Sequence, residues 1–328
     1  MTKSTDRVPD ISVVTPMYGE AGSIDTLLPA LRGNLSAAHV TFEVIVIDDG
    51  SSDQTWNTLR QKAGGFPELR AARLSRNFGK EASVRAGLEM ARGNAVIVMD
   101  SDMQHPPALL PEMIRFWRDG AQIVEAVKAN RDVDSAFQRS MSRTFNRILY
   151  WLSGMDMMSS TDFRLLDRQV VEALLSMEER NAFFRGMTTW LGFERRQVSF
   201  DVPARASGKP AWSAFGRAKL AVSSIAAFSA TPLYLVHLIG ALFLIFAAGL
   251  SAQTLYMKFY GGARSGFTTV IIVLLVIGSA IMFSLGIIGD YIGRIYTEVQ
   301  RRPRYVISER IEQSEEAAAA EPRKVNTY

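Results

Sequence analysis

Between Leu220 and Met257 the chain carries no Asp, Glu, Lys or Arg, and between Ser265 and Gly289 there is again none. Uncharged apolar runs beyond ~18 residues are candidates for crossing a membrane. The alternative is a pair of long helices buried in a protein core. Residues 1–219 argue against it, because they mix charged and apolar residues throughout and are long enough to bury a core of their own. The expected first span is Pro232 to Ala252 and the second Phe267 to Gly289. Lys219 to Thr231 is too short for a further span before Pro232 and reads as an interfacial helix leading into the bilayer. Cations gather at the outer ends of the pair: Arg217 and Lys219 before it, Arg294, Arg301, Arg302 and Arg304 after it. That bias places both flanks in the cytosol. The basic residues after the second span can meet anionic membrane lipid. Met1 to Asp10 is polar, with no apolar signal-peptide core. The expected organisation is a cytosolic domain over 1–218, an interfacial helix over 219–231, a two-helix transmembrane hairpin over 232–290, and a cytosolic C-terminal segment over 291–328 ending in a disordered tail.

Within the first domain short apolar runs alternate with helical patterns. Strands are expected at Ile11–Thr15, Phe42–Ile47, Arg70–Leu74, Ala95–Met99 and Gln122–Val127, and helices at Ser23–Leu35 and Glu81–Ala91. Strands separated by helices imply an α/β fold on a mainly parallel sheet. No Gly-x-Gly-x-x-Gly follows the first strand and no Walker Gly-Lys-Ser/Thr occurs, so the usual dinucleotide and P-loop sites are disfavoured. There is no cysteine, and only three histidines, so disulfides and thiolate metal sites are excluded and an imidazole cage is disfavoured. The net charge is a modest +4, and no nucleic-acid partner is expected. What the strand ends carry is carboxylate: Glu20, Asp48, Asp49, Asp100 and Asp102 fall on one edge. Turns favour Asp anyway, which accounts for Asp53 but poorly for five acids at three strand ends.

The fourth strand runs straight into Asp100-Ser101-Asp102, and Pro106 and Pro107 follow. On extended backbone, residues i and i+2 point the same way, so the two carboxylates can share one target. Ligands of open α/β sheets bind outside the carboxyl ends of the strands. Two hard oxygen donors there suit Mg²⁺ or Mn²⁺ completed by phosphates.

Pro16-x-Tyr18-x-Glu20, Asp48-Asp49-Gly50-Ser51-x-Asp53 and Asp100-x-Asp102-x-Gln104 resemble the inverting GT-A glycosyltransferases of the family that contains dolichyl-phosphate mannose synthase. The run Ser75 to Lys80 narrows the resemblance to bacterial polyprenyl-phosphate glycosyltransferases, relatives of bactoprenol glucosyltransferase. It continues through Thr161 to Leu166, Phe184-Arg185-Gly186 and Gly289 to Tyr296, so it covers most of the chain. It implies a GT-A, Rossmann-like catalytic domain. It also implies donor-binding roles for Pro16, Tyr18, Glu20, Asp49, Ser101 and Asp102, and a metal and diphosphate site at Asp100, Asp102 and Gln104. Lys128, Arg139 and Arg143 would bind the acceptor phosphate; Arg139 and Arg143 lie four apart and share a helix face with Arg147, itself read as a solvated position. Arg205 and Lys209 match the segment that closes over the donor diphosphate, with Pro210 a departure from the usual pattern there. Asp162 matches the catalytic carboxylate, against the bland alternative of a helix N-cap. A lipid phosphate has a second pKa near ~6 and scarcely needs a base, so the alternative role for Asp162 is to orient the acceptor or a neighbouring cation.

The resemblance implies an integral protein of the bacterial inner membrane, catalytic domain and C-terminus cytosolic. It would transfer one sugar from a nucleotide-sugar, with UDP-glucose the best match, to undecaprenyl-type polyprenyl phosphate with inversion, as a homo-oligomer, by resemblance a tetramer. One rival is a processive polysaccharide synthase, which would add a Gln-x-x-Arg-Trp segment and more spans. The other is an inactive membrane scaffold, which would have lost Asp100, Asp102 or Asp162; all three stand.

Overall fold

The computed structural model describes residues 8–128, 160–177, 184–200, 231–260 and 266–312. They form two units: one takes the described residues up to 200 together with 302–312, and the other takes 231–301.

The first unit is built on one eight-stranded sheet. Its elements in chain order are β1 (Ile11–Met17), α1 (Ile24–Ala37), β2 (Phe42–Asp48), α2 (Thr55–Ala63), β3 (Leu69–Leu74), α3 (Lys80–Met90), β4 (Ala95–Val98), a short 3₁₀ turn (Pro107–Leu109), α4 (Leu110–Arg118), β5 (Ile123–Lys128), β6 (Ser160–Asp167), α5 (Arg168–Ser176), α6 (Phe184–Trp190), β7 (Arg195–Phe200) and, after the second unit, β8 (Ile307–Ile311). The spatial order is β7-β5-β6-β4-β1-β2-β3-β8. β1 to β5 and β7 run one way, while β6 and β8 run against their neighbours. The parallel centre follows from the apolar runs. Alternate residues face opposite sides, and both sides are covered. Ile11, Val13, Val44, Val46 and Ile97 pack with α1, α2 and α4 residues in one core, and Val14, Ile45, Ile47, Val96 and Val98 with α3, α5 and α6 in the other. The close approach of α3 depends on Gly87, where a Cβ would stand 2.2 Å from Val14 Cγ1.

The two reversed strands are absent from the sequence-based expectation, and both matter for function. β6 pairs antiparallel with β4 and β5, so its beginning lies at the edge where those strands end. β8 pairs antiparallel with β3, so part of the expected cytosolic segment 291–328 is the outer strand of the catalytic sheet.

The second unit holds α7 (Thr231–Tyr260) and α8 (Phe267–Val299), which lie against each other. Both helices run past the expected span limits. Leu244, Ile245, Met282 and Ile292 are among their exposed apolar side chains. Among the described residues one stretch, Val276–Val299, is long and apolar enough to cross a membrane, and Leu238–Leu250 is a shorter apolar one. The expected interfacial helix, Thr231 apart, and the tail from Ser314 lie outside the described residues.

Candidate active site

The loops after β1, β2, β3 and β4 meet at the carboxyl edge of the central strands. The one after β2 is a tight turn. Asp48, fully buried, accepts the Ser51 N–H at 2.9 Å. Gly50 takes φ +68°, and a Cβ there would lie 2.5 Å from the carbonyl carbon of Arg76, so only glycine lets this turn press on the loop after β3. Asp49 reaches across the same contact. Its carboxylate accepts the N–H groups of Phe78 at 2.8 Å and Gly79 at 2.9 Å. Burial pushes the Asp49 carboxyl up, and those two N–H bonds oppose it. The loop after β1 is tied in by the Gly19 N–H, which donates to Ser51 Oγ at 3.0 Å. Asp53, as its turn position suggests, accepts the Thr55 N–H at 3.0 Å at the start of α2.

A cleft of about 340 Å³ opens here, lined by Pro16 at the end of β1, Tyr18 and Glu20 after it, Asp49 after β2, Asn77 and Gly79 after β3, Lys80 at the start of α3, and Asp100, Ser101 and Asp102 after β4. Tyr18 is exposed. Ser101 is buried; its hydroxyl donates to the Glu20 carboxylate and lies 3.3 Å from the Pro16 carbonyl. Burial raises Glu20, the Ser101 bond opposes, and nearby Asp102 and Asp100 add to the rise. The two aspartates are not held on an extended strand as expected. β4 ends at Val98, the chain bends, Met103 adopts φ +57°, and Asp102 Oδ1 accepts the Gln104 N–H at 3.1 Å. Both carboxylates nevertheless line the same cleft. Asp48 does not line it and serves the turn.

Asp162 lies inside β6, which removes the N-cap alternative; the capping residue is Asp167, which accepts the Gln169 N–H at the start of α5. The β4–β6 pairing ends at Val98↔Arg164, two residues short of Asp100 and Asp162, and a side chain joins the two carboxylates instead. Lys80 stands between them, its Nζ 2.5 Å from Asp100 Oδ1 and 2.6 Å from Asp162 Oδ2. Arg185, from α6, forks onto both Asp162 oxygens, Nη2 donating at 2.9 Å. Burial alone would raise Asp162, but the Arg185 bonds and charge and then Lys80 outweigh it and hold the carboxyl well below the usual carboxylate range. Burial pulls Lys80 down, and Asp162 and Asp100 more than restore it. Beside Lys80, Glu81 accepts the Phe184 N–H at 2.9 Å and so fixes the start of the helix that carries Arg185. Burial pushes the Glu81 carboxyl up to about 7.

Comparison with known proteins gives this edge a family. The pattern of glycosyl transferase family 2 matches residues 12–175. An uncharacterized glycosyltransferase of Synechocystis is 34% identical over 92% of this chain and 95% of its own length. This chain belongs to glycosyl transferase family 2. A prophage bactoprenol glucosyl transferase homolog of Escherichia coli is 31% identical over 90% of this chain and 98% of its own. A bactoprenol glucosyl transferase of Shigella phage SfII is 31% identical over 90% and 97%. The resemblance read from the sequence motifs is thereby shown, and it extends over most of the chain.

The site of this glycosyltransferase fits a hard divalent cation in part from the protein and in part from phosphate. Among the described residues no group of three or more His, Asp or Glu side chains is placed to hold a metal ion by itself. Asp100 and Asp102 offer carboxylate oxygens to one cleft, and Mg²⁺ is commonly held by one or two carboxylates plus substrate phosphates. Of the expected acceptor-side cations, Lys128 ends β5, where its backbone pairs with Phe200. Arg139 and Arg143 lie outside the described residues, as do the donor-side Arg205 and Lys209. Lys80, Glu81 and Arg185 were not singled out for roles from sequence. Lys80 and Arg185 do fall in two of the motifs that carry the resemblance, and that was the available signal.

Proposed function

We propose that this glycosyltransferase moves one sugar from a nucleotide-sugar, UDP-glucose in the first instance, to undecaprenyl-type polyprenyl phosphate at the cytosolic leaflet, with inversion. One observation carries the reading: at a single sheet edge a carboxylate-lined cleft adjoins an anion, Asp162, that holds two cations. The bactoprenol relatives support the lipid acceptor and the glucosyl donor.

In this reading Pro16, Tyr18, Glu20 and Asp49 hold the base and ribose, the carboxylates accepting hydrogen bonds. Ser101 keeps Glu20 in place. Asp100, Asp102 and Gln104 hold Mg²⁺ or Mn²⁺ with the donor diphosphate. When bound, the metal would offset charge on the leaving nucleotide. Arg205 and Lys209 close over that diphosphate, and Lys128, Arg139 and Arg143 receive the acceptor phosphate. An acceptor phosphate oxygen attacks the anomeric carbon as the bond from that carbon to the diphosphate breaks on the opposite face. The acceptor is already anionic near neutral pH, so no base is needed. Asp162 accordingly acts by orientation: it fixes Lys80 and Arg185 beside the reacting groups.

We further propose that α7 and α8 form a two-span membrane hairpin, preceded by an interfacial helix at 219–231, in an inner-membrane protein with residues 1–218 and 291–328 cytosolic, assembled as a tetramer. The uncharged runs and flanking arginines support the spans and their direction. The hairpin meets a positional need, since the acceptor's phosphate lies at the membrane surface and its tail stays in the bilayer. The test is transfer of labelled sugar into the lipid extract of membranes that contain the full chain. Wild type should label it, while Asp102→Asn or added EDTA should abolish labelling, because an amide lacks the carboxylate's charge at a divalent metal. Full labelling in EDTA would remove the metal from the scheme.

A further inference from the structure

We infer that Glu309, on β8, is a positioning residue for the donor turn: it holds Arg73, and Arg73 holds the Asp48–Ser51 turn in the shape that presents Asp49. The inference rests on the reading of the cleft as a nucleotide site. Arg73 uses three sides of one planar guanidinium. Its Nη1 donates to Glu309 Oε1 at 3.1 Å, its Nη2 donates to the Ser51 carbonyl at 2.9 Å, and its Nε lies 3.5 Å from Asp48 Oδ2. A rigid fork of this kind cannot turn toward one partner without leaving another. Asp48 Oδ2 is buried and, among the described residues, accepts no hydrogen bond. The Arg73 charge therefore stands opposite an oxygen that is costly to leave uncompensated.

Glu309 is fixed in turn. Its Oε2 accepts the Trp56 Nε1–H at 2.9 Å and a bond from Arg60. β8 also grips the β3 end directly, through the Val306 carbonyl to the Ser75 N–H at 2.8 Å and Ser308 Oγ to the Arg73 carbonyl at 3.1 Å. The turn that carries Asp49 is thus braced by a strand more than two hundred residues away in sequence, and only residues 300–306 separate that strand from the end of α8. The segment that follows the apolar helices completes the frame of the donor pocket.

The experiment is a calorimetric titration of the full-length protein in detergent with UDP, and in parallel GDP, each with MgCl₂ and without acceptor. Melting temperatures are recorded for every variant. Glu309→Ala and Arg73→Ala should each weaken nucleotide binding roughly three- to tenfold, with a double variant little worse than the weaker single, since both break one chain of contacts. In rate measurements the donor KM should rise while kcat changes little. Lys62→Ala, which removes the ion pair to Asp25 and touches neither Glu309 nor the turn, should bind nucleotide as wild type does. A lowered melting temperature with unchanged nucleotide affinity for Glu309→Ala would overturn the inference, as would full additivity with Arg73→Ala. Wild-type protein that binds neither nucleotide would overturn the donor reading itself, and the inference with it.

Discussion

In the unfolded chain the Glu81 carboxyl titrates near 4.5, and in the folded one burial pushes it up to about 7. Between those values the folded state binds the proton more tightly, so the Glu81 contribution to stability falls as pH rises through the window and stays low above it. Glu81→Gln keeps an oxygen for the Phe184 N–H and removes the titration. It should raise the melting temperature more at pH 8 than at pH 5, and an equal shift at both would contradict the burial assigned to Glu81. Asp162 has the opposite sense: Arg185 and Lys80 hold it well below the usual carboxylate range. Asp162→Asn should leave nucleotide affinity near wild type and lower turnover by roughly a hundredfold, about 2.7 kcal/mol of barrier. A bell-shaped rate profile lost in that variant would instead point to a proton-transferring Asp162. The sequence marked Asp162 through its motif but not its partners. Lys80 and Arg185 lie 82 and 23 positions from it, and no local period links residues carried by three separate elements, β6, α3 and α6.

Elements were legible where burial on both faces left an uninterrupted apolar run, as in Val13–Val14 of β1, Val44–Ile47 of β2 and Ala95–Val98 of β4. β6 was missed as a strand because its core position carries Arg164, fully buried and paired with Glu125 at 3.4 Å, which breaks the apolar signal. β7 buries only Val198 and Phe200, and β8 is a short outer strand of partly exposed residues. The acidic strand ends were read correctly as one edge, yet the shape of the turns was not: the bend after Val98 and the positive φ of Met103 and Gly50 depend on tertiary contacts. Gly50→Ala should test the turn. A side chain at φ +68° against the Arg76 backbone should cost about 1–3 kcal/mol and weaken nucleotide binding at the same time. A variant with wild-type melting temperature and affinity would show that the loops after β2 and β3 need not touch.

At the scale of the whole molecule, a family 2 catalytic sheet is interrupted by two long apolar helices and then completed by its last strand. The two uncharged runs made the helices legible at once, while the return of the chain to the sheet was invisible in so short a strand. If both helices span, a reporter fused after Tyr328 should lie in the cytosol and a tag near Gly261 outside; a tag and a terminus on the same side would mean that the hairpin does not cross. The claim that most needs a direct answer is the transfer of a single sugar to a lipid phosphate. Purified full-length protein should be given undecaprenyl phosphate and a panel of nucleotide-sugars, UDP-glucose first, and the extracted lipid measured by intact mass and anomeric NMR. The account predicts one product, heavier than the acceptor by one sugar residue and inverted at the anomeric carbon. A ladder of masses, a retained anomer, or unchanged lipid with every donor would contradict it.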